Sequence, residues 1–336
     1  MSNPIREVLY TTIHSDPSET VEVREQAAPT CPEDGVVIAV RARPINPADL
    51  LLLEGRHVFT PELPTHVGIE GAGEVVEVGA RSRLAVGARV ALPSGGTWRD
   101  RMAFRDDDVL ALPADVDLEQ AAMLCVNPFT AMGLLESATP GGTVLVNAAT
   151  SAIGRLVLAI ARRRGLATIA VVRELRGAPP DADIVLVDGD DLAARAKASS
   201  PSPITLALDA VAGSASGRLF DALAEGGTLI VYGLLASDRV DLPASGVVFR
   251  DVNVRGFSRL RGFRAMTAER RAAITTELVQ MLADGTLTTE IEARYALTDV
   301  KAALAHHLRP GRKGKILLLT FHPENRSKGI DTAIPA

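Results

Sequence analysis

Residues 147–155 read NAATSAIGR, between an apolar run, TVLVNA, and an amphipathic one, AIGRLVLAIARRR. A strand, a tight turn of small residues and a helix start are the parts that bring free backbone N–H groups against a pyrophosphate. Ala148, Ala149, Ser151 and Ala152 keep side chains short where the backbone must approach an anion. Gly154 falls where helix and strand pack tightest, so one glycine could serve in place of a G-x-G-x-x-G string. Taken alone, the turn equally suits an ordinary βα unit. Twenty residues after Gly154 the next apolar run, LATIAVV, ends at Arg173 and Glu174. In a dinucleotide fold this is the adenosine end. An acid here accepts from a ribose 2′-hydroxyl, whereas a guanidinium pairs with the 2′-phosphate of NADP. Arg173 comes first and Arg176 follows, which favours NADPH; NADH with Glu174 on the ribose is the alternative.

The elements that must position these residues divide the chain by texture. The first 120 residues carry short β-type runs such as VVIAVRA, GEVVEVG and RVALP, separated by Gly and Pro, which predicts a β-rich unit. From about Glu119 helical patterns alternate with short strands, which predicts βαβ crossovers and a parallel sheet covered on both faces. The last stretch, from about Glu269, holds two helical patterns and ends in KGKILLLTF, a strand expected to return to the β-rich unit. The expected boundaries are 1–122, 123–268 and 269–336, with a loose tail after His322. Helix α-type patterning after Ser151 is expected to bury Ile153, Leu156, Val157 and Ile160 and to end at Gly165.

Composition excludes several classes. Of 336 residues, 47% are hydrophobic and 23% charged, with 41 acidic against 36 basic residues and a net charge of −5. An ordinary globular protein follows, with neither nucleic acid nor a membrane as its principal partner. Cys31 and Cys125 are too few for a disulfide framework or a four-cysteine zinc site, and the N-terminal stretch lacks a signal-peptide core. These features point to a cytoplasmic location.

The chain resembles the medium-chain dehydrogenase/reductases, and within them the mitochondrial-type trans-2-enoyl thioester reductases and the quinone oxidoreductases. The resemblance is carried by INPADLLLLEG (45–55), PELP (61–64), IEGAGEVVEVG (69–79), GTWRDRMAF (96–104), VNPFTAMGLL (126–135), NAATSAIGR, IAVVREL (169–175), GGTLIVYG (226–233) and FRDVNVRGF (249–257). It implies an α/β fold: a GroES-like β-rich substrate domain (1–122), a Rossmann doubly wound parallel sheet that binds NADP (123–268), and a return to the first domain (269–336). By motif, Asn127 and Thr130 would lie near the nicotinamide ribose. Thr150, Ser151, Ala152 and Ile153 would cradle the pyrophosphate, and Arg173, Glu174 and Leu175 would meet the adenosine end. Tyr232 and Gly233 would form the adenine-to-nicotinamide rim, with Phe257 and Ser258 on the nicotinamide side. A lysine near the final strand often helps in this family; Lys313 and Lys315 are both candidates. The resemblance also implies a homodimer formed by edge strands of the cofactor domains.

Two departures from the family bear on the chemistry. The zinc-dependent members place a histidine ligand immediately before the glutamate of the E-G-x-G turn, where this chain has Ile69. Isoleucine cannot ligate and His66 has no cysteine partner near it in sequence, so no metal is expected. His66, His306 and His307 are expected as loop or helix residues. Where the enoyl reductases carry a proton-donating tyrosine the chain has His57, an imidazole able to donate at neutral pH; water is the alternative donor. Ser258 replaces a tryptophan that lines the acyl pocket, which weakens the case for a long acyl chain. Asn46 and Asp49 would position the donor segment or simply cap a helix.

The activity implied is metal-free hydride transfer from NADPH to an activated C=C bond in an α,β-unsaturated thioester, acid or ketone. The alternatives are a quinone or enone reductase and a non-catalytic NADPH-binding protein.

Overall fold

Runs rich in Val and Ile broken by Gly and Pro form strands because branched side chains pack well on a pleated surface and the breakers turn the chain. The computed structural model describes residues 4–14, 16–56, 60–93, 95–175, 177–309, 311–312 and 314–320. The chain divides into two units, Met1–Val126 with Leu278–Ala336, and Asn127–Glu277.

The first unit begins with β1 (Ile5–Tyr10), β2 (Val21–Gln26), β3 (Gly35–Pro44), helix α1 (Pro47–Leu53), β4 (Thr65–His66), β5 (Gly71–Val78), β6 (Arg89–Leu92), β7 (Arg101–Arg105), β8 (Leu110–Ala111) and α2 (Leu118–Ala121). The ten residues of β3 are almost all buried, and they pair antiparallel with β5 on one side and β7 on the other. Gly73 permits the β3–β5 approach, since a Cβ there would stand 2.2 Å from the Ala39 carbonyl oxygen. Val36, Ile38, Val40, Val75, Val90, Leu92 and Met102 fill the core beneath them. Burial of each such side chain stabilises by about 1.5–3 kcal/mol.

The second unit comprises α3 (Asn127–Leu134), β9 (Thr143–Val146), α4 (Ala152–Arg163), β10 (Ala167–Val172), β11 (Ile184–Val187), α5 (Leu192–Ser199), β12 (Ile204–Asp209), α6 (Ser214–Ala222), β13 (Thr228–Val231), α7 (Ala244–Arg250), β14 (Asn253–Gly256), α8 (Arg259–Ala265) and most of α9 (Ala268–Ala283). Its six strands are all parallel, in the order β11-β10-β9-β12-β13-β14. Counted within the unit this is 3-2-1-4-5-6, the doubly wound order that reverses between its first and fourth strands and opens a crevice at their carboxyl ends. The expected α/β fold with a Rossmann sheet is therefore the one observed.

The chain then returns to the first unit with β15 (Ile291–Ala296), α10 (Val300–His307) and β16 (Lys315–Leu319). Strand β16 pairs antiparallel with β3 and parallel with β15, completing a seven-stranded sheet. Arg43 locks this closure. Its guanidinium is fully buried and donates to the carbonyls of Val40 (3.0 Å), Thr97 (3.2 Å), Arg99 (2.9 Å) and Leu318 (3.2 Å) and to the Thr320 hydroxyl (2.6 Å). Burial with no directly bonded carboxylate lowers its pKa to about 9.

Candidate cofactor and active site

The turn after β9 runs directly into the first turn of α4. Ser151 is the N-cap of α4 and its hydroxyl accepts from the Gly154 N–H at 3.1 Å. That satisfies one of the orphan donors and leaves the earlier first-turn N–H groups, including those of Ala152 and Ile153, for another acceptor. No acidic side chain stands in the first turn to repel a phosphate. A Cβ on Gly154 would stand 2.6 Å from the Ala148 carbonyl oxygen and 2.8 Å from the Ala149 Cα, so only glycine allows this approach of helix to strand end. The strand expected over Thr143–Ala148 stops at Val146, because Ala148 takes φ +46°, a left-handed conformation that leaves the ladder. At the other end Arg164 caps α4 and Gly165 follows with φ +68°, as a C-terminal glycine should. Ile153 is half-buried and Leu156, Val157 and Ile160 are buried, joined by Leu158.

Because all six strands run the same way, the residues that follow them share one edge. Thr150, Ser151, Ala152 and Ile153 follow β9; Arg173, Glu174 and Leu175 follow β10; Tyr232 and Gly233 follow β13; Phe257 and Ser258 follow β14. Arg173, Glu174 and Leu175 are exposed, and Arg176 lies outside the described residues. Gly233 packs against the end of β12, where a Cβ would be 2.6 Å from the Ala210 carbonyl oxygen. Phe257 lays its ring on Gly133 of α3, 2.7 Å from where a Cβ would stand, and Ser258 is the N-cap residue of α8. Asn127 opens α3 and Thr130 is buried in the same helix. A cavity of about 270 Å³ adjoins Phe257, bounded by Gly133, Glu136, Arg255, Ala265 and Met266.

A buried polar cluster holds this edge. Asn147 donates to Asp209 at 2.6 Å and accepts the Ala210 N–H at 2.8 Å, while Asp209 also takes the Val211 and Ala212 N–H groups and the Ser216 hydroxyl. It pins the loop after β12, in which Ala212 has φ +66°. The Tyr232 hydroxyl is buried without a hydrogen-bond partner, and burial beside the Asp209 carboxylate raises its pKa. The sequence reasoning missed Asn147 and Asp209. Each is a polar residue ending an apolar strand, the one signal that could have marked them.

In the first unit Asn46 is the N-cap residue of α1, and the Asp49 carboxylate accepts its backbone N–H at 2.8 Å. The Asn46 side chain turns elsewhere: it donates to Glu70 at 3.0 Å and accepts from the Lys315 ammonium at 2.5 Å. All four residues are buried. Thus Asp49 is found in the capping arrangement, and Asn46 combines a backbone cap with a side-chain network. His57 and Lys313 lie outside the described residues, so the structure places Lys315 alone of the two lysines. Ile69 precedes Glu70, and among the described residues no group of three or more His, Cys, Asp or Glu could hold a metal ion. His66 pairs with Glu7 at 2.8 Å. His306 lies between Tyr295 (2.9 Å) and Glu292 (3.0 Å), and burial, with Arg312 nearby, lowers the pKa of His307 to about 3.

Residues 32–113 match the alcohol dehydrogenase GroES-like domain and residues 181–318 the zinc-binding dehydrogenase family. Among curated proteins, the mitochondrial enoyl-[acyl-carrier-protein] reductase of Homo sapiens is 31% identical over 326 residues, covering 91% of this chain and 86% of its own. The Caenorhabditis elegans protein of the same name is 32% identical over 310 residues, covering 87% and 88%. Among solved structures, a Bacillus thuringiensis protein described as an NADPH:quinone reductase superposes with a TM-score of 0.86 at 25% identity, covering 95% of this chain and all of its own. The mitochondrial 2-enoyl thioester reductase heterodimer of Candida tropicalis superposes at 0.82 and 23% identity, with the same coverage.

These relatives correct the expected location. Curated relatives at 31% identity are mitochondrial reductases, and the cytoplasmic reading does not stand. It leaned on the low cysteine count, which cannot tell one reducing compartment from another, and on an N-terminal stretch read as lacking signal- or transit-peptide character. No helix among the described residues is long and apolar enough to cross a membrane. With a relative at 31% identity spanning 91% of its length, the chain belongs to the medium-chain dehydrogenase/reductase superfamily, on the branch of the enoyl thioester reductases and quinone oxidoreductases.

Proposed function

We propose that the protein is an NADPH-dependent reductase of an activated C=C bond in a small α,β-unsaturated thioester, acid or ketone, working without a metal. The observation that carries this reading is the turn 148–154 at the switch point of the sheet. There small residues, a Ser151 cap, a glycine that tolerates no Cβ and an acid-free helix start fit the pyrophosphate of a dinucleotide.

When bound, the reduced nicotinamide would supply a hydride to the β-carbon of the substrate. The N–H groups of Thr150, Ala152 and Ile153 would hold the pyrophosphate beside Ser151, whose own N–H is already donated to the Ala148 carbonyl oxygen at 2.9 Å. Arg173, exposed and without an ion pair among the described residues, would meet the 2′-phosphate. Leu175 and Glu174 would border the adenosine, Asn127 and Thr130 the nicotinamide ribose, and Tyr232, Gly233, Phe257 and Ser258 the nicotinamide side. Negative charge that develops on the substrate carbonyl oxygen must meet N–H or O–H donors. The His57 imidazolium or a water returns a proton to the α-carbon, and Asn46 and Asp49 hold the helix that precedes it. Ile69, with no ligand atom, and the lack of a cysteine near His66 in the sequence support the metal-free reading.

One observation favours a quinone or enone as the acceptor: Ser258 stands where the enoyl reductases have an acyl-lining tryptophan. A homodimer is also proposed. Strand β14 ends the sheet, and Val248 and Phe249 of the helix before it in the chain are 69% and 80% exposed, apolar surface that a second copy would cover. Light scattering should give twice the chain mass, and Phe249→Glu should give the monomer.

Purified protein mixed with NADPH and, separately, crotonyl-CoA, a 2-alkenal or a naphthoquinone should consume NADPH, read at 340 nm. Oxidation of the thioester or alkenal supports the leading reading and oxidation of the quinone alone the second. Tight NADPH binding with no acceptor reduced would overturn both in favour of a non-catalytic binding protein.

A further inference from the structure

Four of the five crossovers in the parallel sheet carry a helix: α4 from β9 to β10, α5 from β11 to β12, α6 from β12 to β13 and α7 from β13 to β14. The fifth, from β10 to β11, has none among the described residues; residues 173–183, RELRGAPPDAD, make the return as a strap. Parallel neighbours need a connection as long as the strand, and a helix is the usual one. The sequence accounts for the exception. Pro179 and Pro180 have no backbone N–H to give a helix, and Gly177 takes φ +69°. The far end of the strap is tied down instead. Pro180 is buried, the Asp183 carboxylate accepts the N–H and the hydroxyl of buried Thr168, each at 2.8 Å, and Asp181 pairs with Arg162 of α4 at 2.5 Å.

The near end of the strap is where the adenosine of a dinucleotide would arrive. A helix beginning there would present first-turn N–H groups and side chains to the end of β10. The strap presents Arg173, Glu174 and Leu175, all exposed, with Leu175 at 64%. The neighbouring end of β11 offers little more. Arg218 donates to both oxygens of Asp188, at 2.7 and 2.6 Å, and the Gly189 N–H donates to the same carboxylate at 3.0 Å. Arg195 donates to the Val187 carbonyl oxygen at 2.7 Å and pairs with Asp191 at 2.9 Å. These groups spend their hydrogen bonds on one another. Asp190 is exposed, and an acceptor that must compete with water discriminates weakly.

A guanidinium recognises a phosphate by charge and shape, whereas an exposed leucine covers any purine face without direction. We propose that, with NADPH held as in the proposed function on which this rests, the protein selects its dinucleotide by the 2′-phosphate and not by the adenine base. The missing crossover helix leaves the base edge unread, so pyridine nucleotides altered on the base bind as NADPH does. A site that hydrogen-bonded that edge would reject such analogues by about tenfold or more.

Titration calorimetry of the full chain tests this without turnover. The probes are NADPH against its hypoxanthine analogue, in which an oxygen replaces the amino group, and adenosine 2′,5′-bisphosphate against its N6-aminohexyl derivative. Each altered ligand should bind within threefold of its parent, and 5′-AMP at least tenfold more weakly than the bisphosphate. Leu175→Ala should weaken NADPH and the hypoxanthine analogue by the same factor. A loss of more than threefold on either altered ligand, or a Leu175→Ala protein that changes the ratio by more than threefold, would overturn the inference while the cofactor assignment stands. Failure of the folded chain to take up NADPH itself would overturn the cofactor assignment, and base tolerance with it.

Discussion

Gly154→Ala tests the cofactor turn at its tightest point. The added methyl would stand 2.6 Å from the Ala148 carbonyl oxygen and 2.8 and 2.9 Å from Ala149 backbone carbons, none of which can swing aside as a side chain would. To reach an ordinary 3.4 Å contact the start of α4 must retreat by about 0.8 Å from the strand end. Overpacking of this kind costs about 1–3 kcal/mol, offset by about 1 kcal/mol because alanine favours a helix over glycine. The melting temperature should therefore fall by no more than about 5 °C. The first-turn N–H groups move with the helix, and a hydrogen bond to a charged group is worth about 1.5–3 kcal/mol net. Losing the equivalent of one such bond weakens the Kd for NADPH by about 10- to 150-fold, which titration calorimetry reads directly. Gly165→Ala is the control: φ there is +68°, nothing lies within 4 Å of the added Cβ, and the substitution should cost about 1–2 kcal/mol of stability with the Kd unchanged. A folded Gly154→Ala protein that binds NADPH within twofold of wild type would refute the assignment of this turn.

Arg173→Gln should weaken NADPH about 10- to 100-fold and leave NADH unaffected, since only the 2′-phosphate is lost to it; equal weakening of both would place the guanidinium elsewhere. Arg43→Met should cost about 3–5 kcal/mol in urea unfolding, because the buried acceptors that close β16 onto β3 lose their donor; a loss under about 1 kcal/mol would show that those carbonyls find other partners. His307 is neutral when folded down to pH about 3 and charges near 6.5 when unfolded. Between those values the unfolded chain binds the extra proton, so stability rises with pH, and acidification from 6.5 towards 3 should remove roughly 3–5 kcal/mol. His307→Leu should flatten that slope in urea unfolding at pH 4 to 7; an unchanged slope would assign the acid sensitivity to other groups.

The alternation of helical and strand patterns after Glu119 is legible in the sequence because it follows from side-chain periodicity, and it leads to a parallel sheet. The order of the strands is not legible that way, since it depends on which edge each crossover joins. Gly154 and Gly165 were readable because each meets a local backbone demand. The Lys315–Asn46 bond joins residues 269 apart and Asn147–Asp209 residues 62 apart. Such buried clusters appear only once the chain is folded, when a desolvated polar group must find a partner wherever the topology offers one. Asn46 and Asp49 show the ambiguity within four residues: the same types that cap a helix can also serve a site, and here Asp49 caps while the Asn46 side chain reaches Lys315 and Glu70.

The central claim is that a hydride passes from a bound nicotinamide to the β-carbon of an activated alkene. Turnover of crotonyl-CoA with NADPH deuterated at C4, in both the R and S forms, followed by NMR of the saturated product, tests it directly. One label should appear at the β-carbon, with the α-position filled from solvent. Product carrying deuterium at neither carbon, or no product while the folded protein holds NADPH, would contradict the account.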